Sequence, residues 1–97
     1  MELSCTPGWV CLWEHPNGTG ARISWRPSEG NVFIGDKNRR LVDHVSSFIV
    51  NTGDGVCLQD STIPQERRRY RIGEERTNYY LEFGNRVDRI RPHDECV

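Results

Sequence analysis

Short runs of alternating apolar and polar residues recur along the chain about every ten residues, and Gly, Pro, Asn or Asp bound each run. No segment keeps a helical period over a long stretch, which argues against long helices. Turn-forming residues lie between the runs, as in Pro16-Asn17-Gly18. The pattern therefore predicts eight short strands in an all-β protein, at residues 9–14, 21–26, 31–34, 45–50, 55–59, 67–72, 79–82 and 86–91.

The two halves of the chain repeat one another. Val10-Cys11-Leu12-Trp13-Glu14 reappears 46 residues later as Val56-Cys57-Leu58-Gln59-Asp60, and residues 43–48 are echoed 42 residues later by residues 85–90. Each half supplies four predicted strands, the number in one Greek key, and two such motifs can bury their apolar faces on each other as a sandwich. The predicted fold is two tandem Greek-key motifs, about 9–50 and about 55–92, in a single domain spanning residues 1–97.

Length and charge restrict the classes of function. A chain of 97 residues has room for a single core and no second domain. The formal net charge of −1 gives no long-range field that would attract nucleic acid or an anionic membrane. No window approaches the roughly 18 apolar residues needed to span a bilayer. We therefore expect no membrane partner, and nucleic acid is a disfavoured partner. The expected oligomeric state is a monomer.

Four cysteines in so small a chain predict disulfides and an oxidising compartment. Residues 1–4 lack the basic and apolar regions of a signal peptide, which conflicts with that prediction. The favoured interpretation is a secreted or extracytoplasmic protein whose signal was removed, and the alternative is a cytoplasmic protein with free thiols. From the residues alone, the four cysteines can pair in three ways.

Three segments resemble a known family. Residues 13–20, an aromatic followed by Glu-His, an Asn and a late Gly, look like the opening of a βγ-crystallin motif, and residues 42–47 with their final Ser-Ser look like its close. The cysteine-flanked residues 5–12 are similar to the start of single-domain bacterial members described as peptidase inhibitors. The resemblance covers nearly the whole chain, but Gln59 and Glu66 replace the aromatic and the late Gly in the second half.

The resemblance implies a βγ-crystallin-type sandwich with disulfides Cys5–Cys11 and Cys57–Cys96. Family members often bind two calcium ions through the closing stretches, and calcium wants six to eight oxygen ligands. Both stretches are altered here, since Val42 and Gly84 stand where an Asn or Asp is expected. No cofactor is required on this interpretation, and a weak Ca²⁺ site would use Asp43, Ser46, Asn85 and Asp88.

Nothing in the spacing predicts an enzyme. Nucleophilic catalysis needs a Ser or Cys with a base and an orienting group, and no such set is placed together. The Glu74-Glu75 pair stands beside Gly73 in a predicted turn, where solvated carboxylates are expected. A metal site of Cys and His lacks paired ligand spacing.

Two side-chain sets in predicted strands bear on binding. An extended 67–72 segment sends Arg67, Arg69 and Arg71 to one face, where they would grip phosphates or an acidic protein; the alternative is a solvated face balanced by glutamates. The three tryptophans share one parity of their strands, which predicts a shared core of Trp9, Trp13 and Trp25.

The leading functional hypothesis is a non-enzymatic secreted protein that occludes a protein partner, with peptidase inhibition implied by the resemblance. Its contacts are expected from the turns around residues 15–19 and 62–65, and the candidate contact residues are His15, Asn17, Thr19, Arg67, Arg69 and Arg71. One alternative is a calcium-stabilised structural module. Another is a phosphate-binding or nucleic-acid-binding module that uses the arginine-rich strand.

Overall fold

A computed structural model describes residues 4–62, 64–76 and 86–96. Within these ranges the chain forms short strands, one helical turn and several 3-10 turns, and none of its helices is long and apolar enough to cross a membrane. The all-β prediction is confirmed. In chain order the elements are β1 (Trp9–His15), β2 (Thr19–Trp25), β3 (Val32–Phe33), α1 (Ile34–Lys37), β4 (Ser47–Asn51), β5 (Val56–Asp60), β6 (Glu66–Tyr70), β7 (Glu75–Arg76) and β8 (Arg89–Arg91).

The described strands form two antiparallel four-stranded sheets. Sheet A has the order β2-β1-β4-β7, and sheet B has the order β3-β8-β5-β6. The third strand of the first half, β3, therefore lies in sheet B beside β8, and β7 of the second half lies in sheet A beside β4. This exchange joins the two halves of the chain into one body.

The repeat found in the sequence is also present in the backbone hydrogen bonds. The Ser46 N–H donates to the Trp13 carbonyl at 3.0 Å, and the Asp88 N–H donates to the Gln59 carbonyl at 2.9 Å. Trp13 and Gln59 are matched positions of the repeat, as are Ser46 and Asp88. An equivalent backbone hydrogen bond is thus present in each half of the chain.

The core lies between the two sheets and is built from alternate residues of their strands. The rings of Phe48 in sheet A and Tyr70 in sheet B meet edge to face, with centroids 4.7 Å apart. This contact links the two layers directly. The buried cluster consists of Val10, Leu12, Ile23, Trp25, Ile34, Leu41, Val45, Phe48, Val50, Val56, Leu58, Tyr70, Val87 and Ile90.

Several predicted strands have different boundaries in the structure. The strand predicted at 31–34 ends at Phe33, because Ile34 begins α1. The strand predicted at 67–72 ends at Tyr70, where a turn begins: the Glu74 N–H donates to the Arg71 carbonyl at 3.0 Å, and Gly73 has φ +87°. Ile72 is consequently 55% exposed.

The end of the chain also differs from the prediction. Glu75, which was predicted to lie in a turn, begins β7. The strand predicted at 86–91 shortens to Arg89–Arg91. The strand predicted at 79–82 lies outside the described residues.

The three tryptophans do not share a core, so that prediction is wrong. Residues opposite each other in a ladder project to the same face, and the pairs here are Val10 with Trp25 and Trp13 with Arg22. Trp25 therefore joins Val10 in the core. Trp9 and Trp13 lie on the outer face of sheet A with the Cys5–Cys11 disulfide. Parity within separate strands does not define a face, because the register between strands decides it.

Both disulfides are the pairs that the resemblance implies. Cys5 is bonded to Cys11 across a sequence separation of 6, and Cys57 is bonded to Cys96 across a separation of 39, which leaves no cysteine free. Cys57 lies in β5 and is completely buried. The second bond attaches the C-terminal segment to sheet B.

Candidate functional site

The turn between β1 and β2, residues 15–19, brings together three of the predicted contact residues. His15, Asn17 and Thr19 are all exposed on it. Asn17 has φ 59° and ψ 32°, a left-handed conformation that asparagine tolerates better than most residues. The structure therefore presents these side chains as one surface, which is called the 15–19 turn below.

A buried serine holds this turn from beneath. The Ser47 hydroxyl, in β4, donates to the His15 carbonyl at 2.8 Å and accepts from the Gly18 N–H at 3.1 Å. Ser47 has no solvent exposure. Within the turn, the Thr19 hydroxyl donates to the Pro16 carbonyl at 2.8 Å. The backbone of the turn is thus ordered before any partner binds.

The His15 side chain is packed against the base of the same turn. Gly20 has φ +78°, and a Cβ atom there would overlap the His15 imidazole. The Glu14 carboxylate lies 3.6 Å from His15 Nε2 and accepts the Ala21 N–H at 3.2 Å. Glycine suits position 20, because its positive φ would strain a residue with a side chain and a Cβ atom would also displace the imidazole.

The outer face of sheet A forms an aromatic surface beside the first disulfide. The Arg26 guanidinium lies 4.9 Å from the Trp9 ring centroid, and the Arg22 guanidinium lies 5.2 Å from that of Trp13. These are cation–π distances. A shallow cleft of about 280 Å³ is lined there by Thr6, Trp9, Cys11, Arg22 and Ser24.

An acidic cleft of about 370 Å³ lies beside the loop between β5 and β6. The Asp88 carboxylate accepts the Ser61 N–H through both oxygens, at 3.1 and 3.2 Å. Asp60 accepts the Thr62 N–H at 2.9 Å. The carboxylates here hold the loop backbone. The cleft is lined by Asp43, Asp60, Thr62, Pro64, Gln65, Glu66 and Arg86.

The predicted calcium ligands are only partly brought together. Asp43 and Asp88 lie close enough to interact electrostatically, and Ser46 is buried next to β1 with its N–H bonded to Trp13. Asn85 lies outside the described residues. Within the described ranges, no group of three or more His, Cys, Asp or Glu residues is arranged to hold a metal ion. The weak calcium site stays a prediction.

The surroundings of Asp43 disfavour the ionised form of its carboxyl group. Its desolvation, followed by the nearby carboxylates of Asp88 and Asp60, raises the pKa of Asp43 above its ordinary value, and His44 opposes this in part. Asp43 also has φ 60°, which both aspartate and asparagine can adopt.

Replacing Asp43 by asparagine is expected to stabilise the protein at neutral pH. A carboxyl group with a raised folded-state pKa holds its proton more tightly in the folded protein, so its contribution to stability declines as pH rises through that pKa. Thermal melts in EDTA should show a higher Tm for Asp43→Asn at pH 7 and no difference near about pH 3, where the carboxyl group is protonated. Asp54→Asn, an exposed carboxylate in another turn, is the control. A lower Tm for Asp43→Asn at pH 7 would contradict this account.

The predicted set of arginines on one face, Arg67, Arg69 and Arg71, differs from the set that strand pairing brings together. Arg67 and Arg69 lie on the outer face of sheet B, whereas Arg71 follows the last residue of β6 and lies outside its ladder with β5. Arg89 and Arg91 of β8 join the first two, which sequence reasoning missed. The alternation of residues 89–91 indicates that Arg89 and Arg91 share one face of their strand. Only the pairing of β8 with β5 shows that this face is the one that carries Arg67 and Arg69.

Ser47 is the other residue of the candidate site that sequence reasoning missed, because its bonds to the backbone of the 15–19 turn join residues far apart in the chain.

Comparison with family models finds that the model described as "Peptidase inhibitor family I36" matches residues 2–62. The matched range contains the Cys5–Cys11 disulfide, the 15–19 turn and Ser47. Neither the search of curated proteins nor the search of solved structures finds a match.

Proposed function

Because the chain belongs to peptidase inhibitor family I36, we propose that it binds a peptidase and blocks it without catalysing a reaction of its own. The two disulfides and the family together suggest an extracellular protein. The exchange of β3 and β7 between the sheets supports a further proposal about the fold, a pair of crystallin-type Greek keys.

We propose that the 15–19 turn is the segment that contacts the peptidase. The observation that carries this is the Ser47 hydroxyl, which binds the backbone at both His15 and Gly18 while the side chains of the turn stay exposed. A loop that is already ordered loses little conformational entropy when it docks, so more of the contact energy appears as affinity.

The experiment is a titration of the oxidised protein against a panel of serine, cysteine, aspartic and metallopeptidases. An inhibitor gives a stoichiometric loss of activity with at least one of them, and the inhibitor chain is recovered intact. Failure across the whole panel at micromolar concentration would count against the proposed function.

The contact segment is tested with two variants of the turn and one matched control. His15→Ala and Asn17→Gly remove exposed side chains, and glycine keeps the left-handed backbone at position 17. Gln65→Ala makes a similar exposed truncation in the loop between β5 and β6. Weaker inhibition by the first two alone supports the 15–19 turn. Weaker inhibition by Gln65→Ala alone moves the contact to the other loop and leaves the inhibitor proposal standing.

Replacing Ser47 by alanine is expected to loosen the turn while the protein stays folded. The His15 carbonyl and the Gly18 N–H lose their partner, which costs about 1–3 kcal/mol of stability. The inhibition constant should rise as well, because the turn must then be ordered on binding. Chemical denaturation and inhibition assays of the same preparation measure both effects.

Ser46→Ala is the matched control for this variant, because its link to β1 runs through the backbone N–H and survives the substitution. We expect it to leave inhibition unchanged. A Ser47→Ala protein that is less stable yet inhibits as strongly as the parent would exclude the 15–19 turn as the contact segment.

A further inference from the structure

Among the described residues, the outer face of sheet B carries four arginines in two rows. In the ladders, Gln59 of β5 stands between Arg67 and Arg89, and Cys57 stands between Arg69 and Arg91. The alternate residues of these strands, such as Leu58 and Ile90, point into the core. The four arginines therefore share the outer face, and this set is called the arginine face below.

The spacing of the arginine face follows from sheet geometry. The backbones of Arg67 and Arg69, which are two residues apart along one strand, are separated by about 7 Å. The backbones of Arg67 and Arg89, which lie two strands apart, are separated by about 10 Å. Positive side chains thus originate at the corners of a small rectangle in a protein whose net charge is −1.

Each of the four guanidinium groups donates at least one hydrogen bond to a neutral acceptor. Gln59 is only 3% exposed, and its Oε1 accepts from Arg67 Nε at 3.2 Å and from Arg91 Nη1 at 2.8 Å. Arg69 donates to the Cys96 carbonyl at 3.2 and 3.0 Å. Arg89 donates to Asn31 Oδ1 at 3.1 Å. A neutral acceptor orients a guanidinium group without cancelling its charge.

Accessibility differs among the four arginines. Arg69 is exposed, whereas Arg67 and Arg89 are partly exposed. Arg91 is also partly covered, with 19% of its side chain exposed, and the Glu95 carboxylate lies 3.9 Å from its Nη2. Phe33 of β3, which is 37% exposed, lies opposite Arg89 with its ring centroid 5.8 Å from the guanidinium. The face therefore offers positive charge with an aromatic ring at one edge.

We propose that the arginine face binds an extended acidic segment of another protein, with carboxylates at alternate positions. An extended chain places alternate side chains on one side at about 7 Å, which equals the spacing along β6 and β8. The planar fork of an arginine side chain can donate two parallel hydrogen bonds to one carboxylate, which suits Arg over Lys. The four arginines lie beyond residues 2–62, the range matched by the inhibitor family, so this proposal is independent of the 15–19 turn.

The test uses the full oxidised protein and a fluorescent peptide of alternating Glu and Thr, followed by anisotropy at low and physiological ionic strength. We expect saturable binding that weakens with salt. Arg69→Gln/Arg89→Gln should weaken it about tenfold or more. Arg39→Gln/Arg40→Gln removes the same charge from exposed arginines in the Arg39–Leu41 turn and should leave binding within about twofold.

Three outcomes of these titrations would overturn the proposal. The first is no saturable binding at low salt by a protein whose circular dichroism shows it folded. The second is an equal loss of affinity in both double variants, which would reduce the effect to net charge. The third is tighter binding of a single-stranded oligonucleotide than of the peptide, with a steep linear dependence of log affinity on log salt, which would make a phosphate polymer the ligand.

A peptide of the same composition with its glutamates in one block tests the alternate spacing. In an extended block, half of the carboxylates point away from the face, so weaker binding than that of the alternating peptide supports the proposal. Equal or tighter binding of the block peptide would overturn it. No peptidase enters the experiment, so its result is separable from that of the inhibition assays.

Discussion

Replacing Cys57 and Cys96 together by serine is expected to lower the free energy of unfolding by about 4 kcal/mol, because the bond closes a long loop that the unfolded chain otherwise explores. Small proteins have a total stability of about 5–15 kcal/mol, so this is a large share. The variant also frees the Cys96 carbonyl that orients Arg69. Urea unfolding at 25 °C, with intact mass to verify oxidation of the remaining pair, measures the loss.

The Cys5→Ser/Cys11→Ser variant is the matched comparison. Its sequence separation of 6 gives a smaller entropic term, about 2 kcal/mol in the same model. Removal of the Cys57–Cys96 bond should therefore cost more than removal of the Cys5–Cys11 bond. The reverse order would mean that packing around Trp9 and Trp13, and not loop closure, dominates the contribution of the disulfides.

Truncating Trp25 to alanine is expected to cost about 3–5 kcal/mol, the range for large aromatic residues in a packed core. Trp25 is completely buried between the sheets, and its indole N–H donates to the Gly30 carbonyl at 2.9 Å. The substitution removes that bond and leaves a cavity that the surrounding strands cannot fully close. Chemical denaturation at 25 °C gives the loss directly.

Trp9→Ala is the control variant, because it removes an indole that lies outside the core between the sheets. Trp9 is half-buried on the outer face of sheet A under Arg26, so we expect a cost of about 1 kcal/mol. Similar losses for the two variants would contradict the register that places Trp9 and Trp25 on opposite faces.

The candidate site was partly predictable. His15, Asn17 and Thr19 were identified from the turn residues around Pro16-Asn17-Gly18, since such sequences specify local backbone conformation. Ser47 was not identified as the residue that holds them. It lies 32 residues from His15 along the chain, and nothing in its own neighbourhood indicates which carbonyl its hydroxyl will meet.

The arginine face shows the same limit. The sequence predicts that Arg67 and Arg69 are neighbours because they share one strand, whereas Arg89 and Arg91 lie beside them only because β8 pairs with β5. Likewise, Asp43 and Asp88 approach each other because the Asp43 N–H donates to the Val87 carbonyl, a bond between the two halves of the chain.

The sequence by itself determined the all-β class, most strand positions, the internal repeat and the exposed 15–19 turn, because alternation and turn residues act over a few neighbouring positions. Only the tertiary structure decided that β3 and β7 lie in the sheet of the other half, that Trp25 is in the core while Trp9 is outside it, and that four arginines share a face. These features depend on which strands pair and in what register. Pairing is set by contacts between distant residues, and a shift of one residue in register would reverse every face.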